Sequence, residues 1–224
     1  MKRIRKAVRV TSVIMAAILT ALVATVLCAP EEDRIALTEA LDGLHDQEES
    51  GRQIDWDSLP AEVIAWVEVP GTGIDEPVVQ ASPDSPNAYL YRDVFGQGAY
   101  GTPYIDCECS IDSRLVIVYG HHMSDGTAFA EFADFIDEEF AREHSRIIVY
   151  KRSGEALDLE VCAIDVVNAS RERLVIDQEE SFEKIVGAAD LQLSDPAEAE
   201  QLFAFTTCSY QTWNSRTIVY AHHA

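Results

Sequence analysis

The chain has 224 residues, 47% of them hydrophobic, with 39 Asp and Glu against 17 Lys and Arg for a net charge of -22. That length and apolar content allow one substantial core. The acidity sets the chain against nucleic acid and anionic lipid headgroups, whose phosphates it repels, and otherwise reads as a solubility feature with no catalytic content.

Lys2, Arg3, Arg5, Lys6 and Arg9 precede an uncharged run from Val10 to Pro30, VTSVIMAAILTALVATVLCAP. As a helix this run is long enough to cross a hydrocarbon core of about 30 Å. Residues 1–30 are therefore expected to be a cytoplasmic basic segment followed by a transmembrane signal-anchor. A cleavable signal peptide has a shorter apolar region, about 7 to 15 residues, and ends in a small-x-small site. ATVLCAP offers no such site, which favours an anchor that is retained. Cys28 follows Leu27 where a lipoprotein site wants a small residue, so it reads as an apolar side chain facing lipid or a helix. The positive-inside rule keeps the basic cluster in the cytoplasm, which predicts a single-pass protein of the cell membrane with its working domain extracellular. Without those five cations the outer part carries 12 Lys and Arg against 39 Asp and Glu, a net charge of -27.

Residues 31–53 place Ile35, Leu37, Leu41 and Leu44 among acids and end in the polar joint DQEESGRQ, the pattern of an amphipathic helical stalk. The globular domain is expected over 54–224. It reads as mainly β: VIAWVEVPGTGIDEPVVQ, GTPYIDCECS, RLVIVYG, RIIVYKR, LDLEVCAIDVVNA, LFAFTTCSY and RTIVYAHHA are rich in β-branched and aromatic residues and are separated by turn signals. Seven to eight strands result. Helical periodicity is confined to GTAFAEFADFIDEEFAREH and to ESFEKIVGAADLQL, where Phe182, Ile185, Val186 and Ala189 share a face and predict a helix over Ser181 to Leu193. Many short strands with few helices imply a closed or nearly closed barrel.

Cys208 ends the apolar strand LFAF, behind two threonines and before a polar loop. It can be a core thiol, half of a disulfide or a nucleophile. Five cysteines in an exported chain cannot all pair, so at least one thiol is left over. A thiol attacks as the thiolate, which needs a His or Arg nearby. His121 stands just past the hydrophobic strand RLVIVYG, and Arg216 opens the last strand, eight residues after Cys208. If QTWNS joins two adjacent antiparallel strands, Cys208 and Arg216 face each other across one end of the sheet. The guanidinium could then donate to a carbonyl becoming an oxyanion. The plain alternatives are a capping or surface histidine and an ordinary surface ion pair. Trp213, in that same loop, either walls a peptide groove or packs at its rim. The next-but-one spacing of Cys107 and Cys109 on a strand puts both on one face. A disulfide between them, a disulfide from one of them to Cys162, a metal site and buried free thiols all remain open, though two thiols without a nearby histidine make weak zinc ligands.

Taken together, these residues resemble the sortases, cysteine transpeptidases of Gram-positive surfaces, and specifically class B. WVEVPGTGIDEPVVQ is similar to the family's opening strand and turn, YGTPYID to its G-x-[IF]-[FY]-x-D segment, YGHHMSDGTAFAEF to its histidine motif, and TTCSY with SRTIVY to its cysteine and arginine motifs. The resemblance implies a sortase-like barrel with an N-terminal helix and another inserted before the cysteine strand. It makes Cys208 the nucleophile, His121 the acid and base, and Arg216 the clamp on the oxyanion or substrate. It also implies that Asn87 and Leu90, in SPNAYLYRD, and Thr206 and Thr207 line the substrate groove. Two departures stand out: Phe205 where the family has Leu, and His122 where it often has Asn. The implied partners are secreted proteins with a C-terminal sorting motif of the NPxTx type, cleaved after Thr, and an amine of peptidoglycan that resolves the thioester. A pilin lysine as acceptor is the alternative within the class, and a catalytically idle barrel that binds a partner is the alternative outside it. A papain-like peptidase would place the cysteine before the histidine, the reverse of the order here. No cofactor and no metal is expected.

Overall fold

The computed structural model describes residues 52–95, 101–168, 179–209 and 214–223. A compact unit runs from Asp55 to Ala224. The basic segment, the apolar run Val10 to Pro30 and all but the last two positions of the expected stalk, with its N-terminal helix, lie outside the described residues, as does Trp213. Among the described residues no helix is long and apolar enough to cross a membrane.

Among the described residues there are nine strands: β1 (Val63–Glu68), β2 (Asp75–Gln80), β3 (Tyr104–Ile105), β4 (Leu115–Gly120), β5 (Arg146–Lys151), β6 (Ala156–Asn168), β7 (Leu191–Gln192), β8 (Leu202–Ser209) and β9 (Ser215–His223). Eight of them form a ring in the order β5-β1-β2-β3-β4-β8-β9-β6, closed by pairing of β5 with β6. The short β7 pairs with β6 outside that ring. The pairs β2–β3 and β4–β8 are parallel, and the rest of the ring is antiparallel. The mainly β, closed barrel expected from the strand pattern is thus the fold. Closure leaves the ring without an open edge for another chain to add to.

Burial follows strand period two. In β1, Val63, Ala65 and Val67 are buried while Ile64, Trp66 and Glu68 are half-buried. In β8 both faces are covered, which is why LFAF shows no polar alternation. Phe203 and Phe205 enter the barrel interior with Phe129, Phe132 and Val118. Leu202 and Ala204 point the other way, into a second cluster with Phe182 and Val186.

The helical stretches are shorter than their periodicity implies. Ala130–Ile136 forms a 3-10 helix, and α1 (Glu138–Glu143) follows after a break at Asp137, whose side chain caps α1 by accepting from the backbone N–H of Glu139 and Phe140. Phe129, Phe132 and Phe135 are all fully buried at a spacing of three. A three-residue repeat keeps them on one line in a 3-10 helix, where an α-helix would spiral them away. The helix expected over Ser181 to Leu193 is α2 (Phe182–Val186) only, capped by the Ser181 hydroxyl, while Leu191 and Gln192 become β7. Edge pairing with β6 captures those residues, and Ile185 and Ala189 still pack on the cluster beneath α2. GTPYIDCECS is likewise a strand only at Tyr104 and Ile105. Asp106 then turns the chain: its carboxylate accepts from Glu108 N–H at 2.8 Å and its carbonyl from Cys109 N–H at 3.2 Å. Cys107 and Cys109 therefore do not share a strand face; the first is half-exposed, the second buried, and both are free thiols, as is Cys162.

Candidate active site

The ladder of β8 and β9 sets Cys208 directly opposite Arg216. On the other side of β8, the parallel ladder with β4 ends at Gly120 opposite Thr207, so that His121 leaves β4 beside the end of the cysteine strand. The side chains from three separate stretches of sequence thus stand at one end of three neighbouring strands, with β8 in the middle. Asn214, in the left-handed region at φ 56°, turns the chain into β9 just before Arg216. Arg216 donates from Nη1 to the Ser215 carbonyl at 3.1 Å and to Asn214 Oδ1 at 3.4 Å.

His121 is held by close packing. The backbone N–H of Phe129 donates to the His121 carbonyl at 2.9 Å, closing a loop whose base Phe129 plugs into the core. A Cβ on Gly120 would overlap the Phe129 ring. On the other side the 3-10 turn Ala88–Leu90 comes close enough that His121 Nε2 contacts the Leu90 carbonyl. A Cβ on Gly101 would lie 2.5 Å from the carbonyl oxygens of Tyr89 and Leu90 and 2.8 Å from the His121 ring. Both glycines are needed for close approach. Tyr91, largely exposed, places its ring 6.4 Å from that of His121. His122 points the other way: its Nδ1 lies 2.9 Å from the Cys208 carbonyl oxygen.

Cys208, His121 and Arg216 all line one cavity of about 270 Å³, together with Asn87, Leu90, Thr206 and Thr207. The seven expected catalytic and substrate-contacting residues are therefore gathered in one place. Pro86, Tyr104, Asp106 and Tyr119 also line it and were not singled out. A signal for three of them was present. Tyr119 precedes His121 by two, Tyr104 precedes Asp106 by two, and the two tyrosines are register partners across β3 and β4, so period two places their side chains on the face that carries His121. Their rings lie 5.4 Å apart. Burial, followed by the charge of Asp106 and then by Cys107 and Cys208, pushes the Tyr104 phenol up to about 12. Burial and Asp106 push that of Tyr119 up as well. Both phenols remain hydroxyl donors at neutral pH. The cavity thus has a cation at the Arg216 end, an anion at Asp106 and neutral donors between them. Among the described residues no group of three or more His, Cys, Asp or Glu is placed to hold a metal ion.

A family model described as a sortase domain matches residues 67–224, and the chain belongs to the sortase family. Its kinship is with class B. Over 94 residues it is 27% identical to sortase B of Listeria monocytogenes, a match that covers 40% of this chain and 37% of that protein. Among solved structures, sortase B of Clostridium perfringens superposes with a TM-score of 0.63 at 24% identity, covering 73% of this chain and 94% of that one. A Streptococcus pyogenes class B sortase involved in pilus biogenesis gives 0.65 at 20% identity, covering 76% and 98%. These two likenesses are of fold.

Proposed function

We propose that the chain is a membrane-anchored cysteine transpeptidase that cleaves a C-terminal sorting motif of the NPxTx type after Thr and transfers the secreted protein to an amine of the cell-wall peptidoglycan. The observation that carries this reading is the convergence of Cys208, His121 and Arg216 on one cavity from three neighbouring strand ends. In this reading the Cys208 thiolate attacks the Thr carbonyl carbon and a C–S bond forms. The oxyanion accepts hydrogen bonds from the planar Arg216 guanidinium. Collapse breaks the peptide bond, and the departing amine takes a proton from the His121 imidazolium, leaving neutral imidazole. The acceptor amine then attacks the thioester, the neutral His121 imidazole takes its proton, and the C–S bond breaks to give a new amide and the Cys208 thiolate beside imidazolium. Asn87, Leu90, Thr206 and Thr207 contact the motif.

The apolar run Val10 to Pro30 supports the anchor and the extracellular placement. A pilin lysine as acceptor would use the same steps, and the structural likeness to the pilus-building Streptococcus pyogenes enzyme favours keeping that acceptor in the test. The experiment is intact-mass spectrometry of the full-length chain in detergent after incubation with NPxTx and LPxTG peptides, with triglycine or a lysine amide as acceptor. A thioester adduct on Cys208, absent from Cys208→Ala, is the expected result. A folded, reduced protein that forms no adduct with either peptide class would overturn the reading in favour of an idle binding barrel.

A further inference from the structure

We infer that His122, the neighbour of the proposed acid and base, is a positioning residue that holds the nucleophile by its own backbone; the inference rests on the reading of Cys208 as nucleophile. The parallel ladder of β4 and β8 makes its last rung at Gly120 and Thr207. Beyond it the backbone of β4 turns away, because the His121 carbonyl is taken by Phe129 N–H and His122 forms a lone antiparallel bridge with Ala128. The next carbonyl of β8 on that side is that of Cys208, and the His122 ring supplies the donor that β4 no longer provides, at 2.9 Å. A carbonyl oxygen can only accept, so Nδ1 carries the proton.

The contact extends the sheet by one side-chain rung at the place where the reacting sulfur hangs. Ala128, at φ 57° in the left-handed region, holds the loop base in a conformation that a non-glycine residue adopts only under constraint. His122 is therefore anchored at a fixed point of the core side, and through it the end of β8 is fixed relative to His121. His122 does not line the cavity. Its effect falls on the geometry of the thiol and leaves the affinity for the motif alone.

The test uses the full-length chain with His122→Ala, His122→Asn and His122→Gln. An Asn amide nitrogen occupies the place of Nδ1, whereas a Gln amide nitrogen reaches the place of Nε2, so Asn keeps the rung and Gln does not. The first readout is independent of transpeptidation: alkylation of Cys208 by iodoacetamide at a pH where the thiol is ionised, followed by peptide mass. Release of the strand end should speed alkylation about threefold in the Ala and Gln variants and leave Asn at the wild-type rate. The second readout is acylation by the sorting peptide, where kcat should fall about tenfold in Ala and Gln with KM unchanged, and recover in Asn. Equal alkylation in all four proteins, or recovery by Gln as complete as by Asn, overturns the proposal. If the Ala variant does not fold, the Asn and Gln pair carries the same comparison. The expected alkylation order without acylation of any protein would sink the transpeptidase reading and leave the positioning role standing.

Discussion

Cys162 and Cys208 lie on strands of the same barrel, and both strands pair with β9. Cys162 sits in the middle of β6, at the irregularity between Val161 and Ala163, fully buried beside Leu115, Ala204 and Phe182. Its thiol donates to the Tyr220 carbonyl at 3.4 Å, and burial pushes it up to about 12. Cys208 is the last residue but one of β8, half-exposed, opposite a guanidinium and in a cavity that also holds an imidazole. Five residues of strand lie between the buried Leu202 and Cys208, and over that distance the environment passes from sealed hydrocarbon to an open polar cavity. The same functional group is sealed in one place, where low dielectric penalises the thiolate, and opens onto a cavity in the other.

That contrast can be broken or sharpened by experiment. The largest effect belongs to Cys208→Ala, which should reduce acylation by a sorting peptide by at least about a thousandfold, read as loss of the thioester mass, while Cys162→Ala leaves acylation unchanged. Next is Arg216→Lys. It keeps the charge opposite Cys208 but loses the planar fork, and should lower kcat/KM about a hundredfold in the same assay. Smaller again, and on stability, Gly120→Ala forces the Phe129 ring out of its place and should cost about 2 kcal/mol in urea unfolding.

The smallest effect concerns pH. The Cys162 thiol binds its proton more tightly folded than at its ordinary value of 9.0, so its contribution to stability is whole below about pH 9 and is lost as pH climbs toward 12. The stability difference between wild type and Cys162→Ala should therefore shrink between pH 8.5 and pH 10 by about 1 kcal/mol, measured from urea midpoints. The raised phenols of Tyr104 and Tyr119 act in the same direction in both proteins and cancel in that difference. An unchanged difference would mean that Cys162 is not the sealed thiol described above.

Much of this site was legible in the chain. The apolar runs around RLVIVYG, LFAFTTC and RTIVYA mark strands whose ends carry His121, Cys208 and Arg216, and the eight-residue interval after Cys208 places Arg216 across a hairpin. What local pattern could not show is which strand lies beside which. The parallel pairing of β4 with β8, 86 residues apart at His122 and Cys208, brings the histidine loop to the cysteine strand. Short-range signals also failed where a distant partner competed for the backbone, as β6 did for Leu191 and Gln192, and where one side chain turned the chain, as Asp106 did beside the two cysteines. Residue type and period, which depend on near neighbours, marked most of the strands and picked out the three candidate side chains in advance. Ring order, the cavity with Tyr104, Asp106 and Tyr119 in its wall, and the hold of His122 on the Cys208 carbonyl came only from tertiary structure, because long-range pairing is chosen by the burial and hydrogen bonding of the whole barrel.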